Sequence, residues 1–183
     1  MSYHTSVIYY VATSLDGYIA DKDGGVEWLN RYDSGEPTNP PEDYGYQQFF
    51  DSVDAMVMGR LTYEQVLAFN VWHYGDKPCW IFSSQPELEL KHGVIHTAQS
   101  PTEFVDSVSE KIKSIWLVGG TALANSFRTA GLITHYHITL IPCLLGDGIS
   151  LFETGFEFQR LNLDSQRTFA NGFVQLRYSV EPK

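Results

Sequence analysis

Short apolar runs recur along the chain, separated by stretches whose apolar residues fall three and four positions apart. Val7-Ile8-Tyr9-Tyr10-Val11-Ala12 has hardly a polar break and is rich in β-branched and aromatic residues, which predicts a strand covered on both faces and central in its sheet. Four further runs, 55–58, 79–82, 115–118 and 137–141, read as strands of the same kind. Between them, Tyr46, Phe49, Phe50 and Val53 share one helical face, with Asp43 at or near that helix's start, and Phe104, Val105, Val108 and Ile112 share another. Strands alternating with helices imply crossover connections and a mainly parallel sheet. At the C-terminal end, Asn171-Gly172 separates Arg167-Thr168-Phe169 from the run 173–180, which predicts an antiparallel hairpin closing one sheet edge.

The stretch 14–25 carries three glycines and four charged residues and reads as a loop long enough to carry function. Pro37, Pro40 and Pro41 break the next stretch. A chain of 183 residues fits one domain, 1–183, with a substantial core. Its net charge of −10, with no block of like charges, argues against a nucleic-acid or anionic-membrane partner. Any anion must be met locally, by a few arginines and backbone N–H groups. No apolar run reaches about 18 residues and Met1-Ser2-Tyr3-His4 is not a signal peptide, so a soluble cytoplasmic protein is expected. Cys79 and Cys143 form no C-x-x-C pair and are expected reduced, packed as small apolar residues.

Three strand ends carry the chemistry. In Met58-Gly59-Arg60-Leu61-Thr62 an apolar run stops on a glycine that permits close approach, an arginine suited to phosphate oxygens, and a helix expected to start near Thr62. In the run 115–124 a buried strand meets Gly119-Gly120 and a helix opening on small residues, where a diphosphate could rest on glycine amides. Trp80-Ile81-Phe82 ends in Ser83 and Ser84. In a parallel sheet all three ends share the carboxyl edge, where ligands bind in open α/β folds. The Rossmann and P-loop glycine patterns are both absent.

Six stretches in order, the opening strand with Ala12, "SLDGYIA", "VMGRLTYE", "SSQP", "LVGGTAL" and "HITLIPCLLGDGISLF", resemble the dihydrofolate reductase superfamily. "SLDGYIA" and "PCLLGDGISLF" are most similar to the reductase domain of riboflavin biosynthesis, RibD C-terminal-like, and its stand-alone bacterial relatives. The resemblance implies an α/β, dihydrofolate reductase-like three-layer fold: a mixed, mainly parallel sheet of about eight strands with flanking helices and a C-terminal antiparallel hairpin. It implies bound NADPH, a small-molecule substrate and a homodimer. Gly59, Arg60 and Thr62 would hold the cofactor's phosphate side, and Ser83 and Ser84 would lie by the adenosine 2′-phosphate. Gly119, Gly120, Thr121, Ala122 and Leu123 would cradle the diphosphate, with Ala12 and Ile19 flanking the nicotinamide.

On the substrate side the resemblance assigns the functional carboxylate to Asp43, sixteen residues before Gly59, with Glu42 and Asp16 as alternatives. As a helix-start residue Asp43 has an ordinary capping role open to it as well. Thr139 matches a substrate-binding threonine, and Trp28 and Phe49, beside Phe50, could line a ring pocket or simply pack as core. His135 and His137 share a strand face but lack a third ligand, so no metal is expected. Glu27-Trp28 and the segment from Arg31 to Pro41 depart from folate reductases where substrate should sit. The implied activity is therefore an NADPH-dependent reduction of a small heteroaromatic or carbonyl substrate, resembling 5-amino-6-(5-phosphoribosylamino)uracil reductase. Dihydrofolate reductase itself, and a non-catalytic nucleotide-binding module, are the alternatives.

Overall fold

The apolar opening run forms β1 (Ser6–Ser14), followed by β2 (Tyr18–Ala20), a 3-10 helix (Glu27–Tyr32) and α1 (Tyr46–Ser52). Then come β3 (Ala55–Gly59), α2 (Arg60–Ala68), β4 (Cys79–Phe82), β5 (Ile95–Thr97), α3 (Pro101–Val108), β6 (Ser114–Gly119) and α4 (Thr121–Thr129). The chain ends with β7 (His135–Ile141), β8 (Ile149–Ser150), β9 (Leu161–Thr168) and β10 (Val174–Val180). This computed structural model describes residues 5–32, 42–86, 88–155 and 157–181. The three prolines at 37, 40 and 41, and the expected substrate-side segment from residue 33 onward, lie outside them.

Eight strands form one sheet in the order β5-β4-β3-β6-β1-β7-β10-β9, and β2 pairs with β8 in a separate ribbon. The architecture is the mixed, mainly parallel sheet that the alternating pattern predicts. Two compact units divide the chain: one holds Ser52–Thr134 with the chain up to Tyr9, the other Tyr10–Asp51 with the chain from His135 onward.

In the first unit, β4, β3, β6 and β1 run parallel, with Met58 opposite Ile81 on one side and Gly119 on the other. Ala55, Met56, Val57 and Met58 are all 0% exposed, which is why that strand reads as a continuous apolar run rather than an alternating one. Helix α3 starts on a full capping box, Ser100 with Glu103, behind which Phe104 packs edge-on against Trp80 and Phe82. It ends at Val108, so Ile112, expected on its face, lies beyond the helix. The short strand β5 was not evident in the apolar pattern.

In the second unit, β7 and β10 pair antiparallel with Thr139 opposite Gln175 and His137 opposite Arg177, and β9 follows β10 at the sheet edge. The Asn171-Gly172 hairpin forms as expected. Trp28, Ile141 and Phe173 make a core that Ala12, Tyr44 and Phe169 help to cover. The β2–β8 ribbon was not foreseen; at Gly148 a Cβ would stand 2.2 Å from the Ala20 carbonyl oxygen, so only glycine allows the two strands to close.

Candidate functional site

The three strand ends of the first unit lie on one edge, because β3, β4 and β6 are parallel. Two nine-residue helices begin there, α2 behind Gly59 and α4 behind Gly120, and neither first turn receives a hydrogen bond from a capping side chain. Helix α2 starts at Arg60 rather than near Thr62, which makes Thr62 its third residue; its hydroxyl oxygen lies 3.4 Å from where a Cβ on Gly120 would be. The two helix starts are thus neighbours, and both turn first-turn N–H groups and the positive ends of their dipoles to this edge.

What makes this arrangement informative is that the fold does not need glycine at position 59. Its backbone, φ −74° and ψ 157°, suits any residue, and a Cβ there would meet nothing nearer than the Gly120 nitrogen at 3.7 Å. Helix starts favour Ser, Thr, Asp or Asn at this position by up to about 1 kcal/mol over an uncapped residue. A bare glycine leaves the amides free for something other than a side chain. Gly119, by contrast, has φ +136°, which demands glycine, with open space where its Cβ would stand.

Arg60 is in place but engaged: Nη1 donates to both Glu64 carboxylate oxygens, at 2.7 and 2.8 Å. An exposed pair of this i,i+4 kind is worth about 0.3–0.5 kcal/mol, so an anion could take the guanidinium over at little cost. Ser83 accepts a hydrogen bond from the Gln85 N–H at its hydroxyl, and Ser84 beside it is exposed. Thr121, Ala122 and Leu123 form the first turn of α4. Leu61, 69% exposed at the start of α2, also stands at this edge, and its place in an otherwise polar turn was the available sequence signal.

The second unit holds the residues expected near substrate. Asp43 lies just ahead of α1, where Oδ1 accepts the Gly45 N–H at 2.8 Å and Oδ2 the Gln47 N–H at 3.1 Å. Those two bonds hold its carboxyl below the usual carboxylate range. It is ionised at neutral pH, which suits an anchor and not a proton donor. Glu42 faces Arg167 at 3.4 Å. Asp16 is committed to its own loop: it accepts from the Ser14 hydroxyl, which chiefly lowers its pKa, and from the Leu145 and Gly146 N–H groups. Asp16→Asn is expected to speed hydrogen exchange at the Leu145 and Gly146 amides several-fold while leaving the core amides of β7 unchanged; unchanged exchange at 145 and 146 would remove this clamp.

Phe49 packs as core, 4% exposed and stacked on Tyr10 with ring centroids 4.1 Å apart. Trp28 is likewise buried, yet its indole Nε1 has no hydrogen-bond partner among the described residues, an arrangement that leaves one donor for a guest atom. Thr139 is buried against Gln175, whose amide donates to its hydroxyl at 3.4 Å and to the Tyr44 carbonyl at 3.2 Å. Ala12 and Ile19 are half-buried. His137, expected to be an ordinary strand residue, packs edge-on against Phe49 and Tyr10, and burial, helped by Arg177 and His135, pushes its pKa down to about 4. Among the described residues no group of three His, Cys, Asp or Glu could hold a metal, and no helix is long and apolar enough to cross a membrane. Cys79 is buried and Cys143 half-buried.

Known proteins resemble the chain along most of its length. The uncharacterised Bacillus subtilis (strain 168) protein YwjB is 36% identical over 173 residues, covering 93% of this chain and 95% of YwjB. A crystal structure of a Shewanella sp. PV-4 protein assigned to riboflavin biosynthesis superposes with a TM-score of 0.87 at 29% identity, covering 97% of this chain and 100% of that one. Dihydrofolate reductase from Enterococcus faecalis, solved with NADP(H), superposes at a TM-score of 0.68 over 100% of both chains, and at 13% identity it shows the fold alone. The family model described as the RibD C-terminal domain matches residues 5–175. On that match, which spans most of its length, the chain belongs to the RibD C-terminal domain family, a reductase-like family with the dihydrofolate reductase-like fold.

Proposed function

We propose that the chain is an NADPH-dependent reductase of a small heteroaromatic or carbonyl substrate, with a reaction of the 5-amino-6-(5-phosphoribosylamino)uracil reductase type. The observation that carries this reading is the pair of adjoining helix starts at Gly59 and Gly120, both without capping side chains. Their first-turn amides and dipoles fit a diphosphate, and beside Gly119 the space is open. Gly59, Thr62 and the turn from Gly119 to Leu123 would hold that diphosphate, and Arg60, released from Glu64, would add a charge. Ser83 and Ser84 would offer hydroxyls to a 2′-phosphate.

Bound NADPH would supply a hydride to the substrate. The chain's own task is then to position the acceptor and exclude water. Ala12 and Ile19 are the candidates for the nicotinamide, and the unpartnered Trp28 Nε1 is a donor for a heteroatom in the second unit. Asp43, ionised, would anchor a donor group of the substrate; the proton that completes reduction would come from elsewhere, such as solvent.

Titration of the protein with NADPH and NADH, followed by nicotinamide fluorescence, tests the reading. Saturable binding with at least about tenfold preference for NADPH is expected, a difference of about 1.4 kcal/mol. Binding of neither nucleotide would rule it out.

A further inference from the structure

We propose that Arg177 is an oxyanion anchor in the second unit, the residue that receives a phosphate or carboxylate group carried by the substrate. As a statement about substrate this rests on the reductase reading; as a statement about anion binding it does not.

Arg177 lies in the middle of β10, opposite His137 on β7 and Ser165 on β9. Alternation puts it on the same face as Gln175 and Ser179, the polar face of a strand whose other positions, Val174, Leu176, Tyr178 and Val180, are apolar. It is half-buried, and its Nη2 lies 3.9 Å from where a Cβ on Gly45 would stand, just ahead of α1. Tyr10, Phe49 and His137 form an aromatic cluster beside it.

Its side chain has no ion pair and no hydrogen bond among the described residues. Of the other arginines, Arg31 is exposed to solvent and the rest are engaged. Arg60, Arg160 and Arg167 each meet a carboxylate, and Arg128 bonds to Asn125. The nearby acids are turned to other donors, Asp43 to two backbone N–H groups and Asp164 to the Ser179 hydroxyl, and neither reaches Arg177 as an ion pair. A half-buried guanidinium without a counter-ion is unfavourable unless something neutralises it, and its planar fork of donors matches an oxyanion. The Nδ1 of His137, the residue opposite it on β7, is also buried with no hydrogen-bond partner among the described residues. The charge of Arg177 is felt at both neighbours: it opposes the rise that burial gives the Tyr10 phenol and adds to the fall that burial gives the His137 imidazole. In a chain of net charge −10 the overall field repels anions, so such a ligand needs a local cation of this sort.

The test is isothermal titration of wild type, Arg177→Gln and Arg167→Gln with ribose 5-phosphate and with benzoate, alongside NADPH. Wild type and Arg167→Gln are expected to bind at least one anion saturably, and Arg177→Gln to bind it about tenfold more weakly or worse. Ribose 5-phosphate alone would identify the group as a phosphate, benzoate alone as a carboxylate. No saturable binding of either anion to wild type, or equal binding by Arg177→Gln, would overturn the proposal. Should Arg177→Gln not fold, phenylglyoxal labelling of wild type decides: the bound anion is expected to protect Arg177 and not Arg160, and labelling of Arg177 unchanged by the anion overturns it. Anion binding that survives while NADPH fails to bind would sink the reductase reading and leave the anchor standing.

Discussion

Replacing Gly59 by aspartate is expected to weaken NADPH binding more than a hundredfold while leaving the melting temperature within about 2 °C of wild type. The stability half of this expectation comes from the backbone. Position 59 has extended dihedrals open to any residue, and a Cβ there makes only ordinary contacts, with Gly120, Gly119 and Leu123 at 3.7 to 3.9 Å. Aspartate at a helix start normally caps it, a gain of a few tenths of a kcal/mol over glycine. The binding half comes from charge. A carboxylate about 5 Å from a diphosphate, at an effective dielectric near 20, repels each unit of its charge by about 3 kcal/mol.

Gly59→Ser separates the two effects, since it caps the same amides without a charge. An intermediate loss, about tenfold, is expected, because the serine competes with the diphosphate for N–H groups without repelling it. Equal NADPH affinity in wild type and Gly59→Asp would mean that the diphosphate does not lie against α2, and the cradle would have to be sought elsewhere. A large drop in melting temperature would instead show that glycine is there for the fold.

The parts of this site that were legible in sequence are those made of backbone. Gly59, Gly119 and Gly120 end apolar runs and precede helices, and a glycine between a buried strand and a helix says where a chain can be approached whatever packs around it. The central strands were legible for a similar reason, being buried on both faces and so apolar without a break. Strands β2, β5 and β8 were not, because two or three residues are too few to show a period and their pairing is set by the neighbouring strand. The start of α2 was misplaced by two residues because Thr62 looks like a cap, whereas its hydroxyl is turned toward Gly120.

Arg177 and His137 were hidden for a different reason. The sequence Val174-Gln175-Leu176-Arg177-Tyr178-Ser179-Val180 reads as an ordinary strand with a solvated polar face. Only packing reveals that this face lies beside the ring cluster of Tyr10, Phe49 and His137, with Gln175 buried and Arg177 half-buried. The two histidines of β7 invited a question about metal, while the more telling property of His137, that it is kept neutral by burial, depends on residues distant in sequence.

That neutrality has a measurable cost in acid. His137 titrates near 4 in the folded chain, against about 6.5 when unfolded, so between those pH values the unfolded chain binds a proton that the native chain refuses. Its contribution to stability is complete above about pH 6.5 and is lost as pH falls toward 4. Each unit of difference corresponds to about 1.4 kcal/mol, and allowing for the part of the ring still open to solvent leaves a loss of about 2 kcal/mol over the window. For a chain of this size that is about 4–8 °C in melting temperature.

His137→Phe preserves the ring contacts with Tyr10 and Phe49 and removes the titration, so the difference between the two melting curves isolates this one group from every carboxylate that titrates in the same range. The variant is expected to lose about 4–8 °C less than wild type between pH 6.5 and 4. Parallel curves would show that His137 accepts its proton in the folded state as readily as in the unfolded one. Arg177 supplies a cross-check, because its charge is the second cause of the depression after burial. In Arg177→Gln the acid loss is expected to shrink without vanishing, since the buried ring remains. At neutral pH His137 is therefore uncharged, and the positive charge on this face of β7 and β10 is that of Arg177, as the anchoring of an anionic group requires.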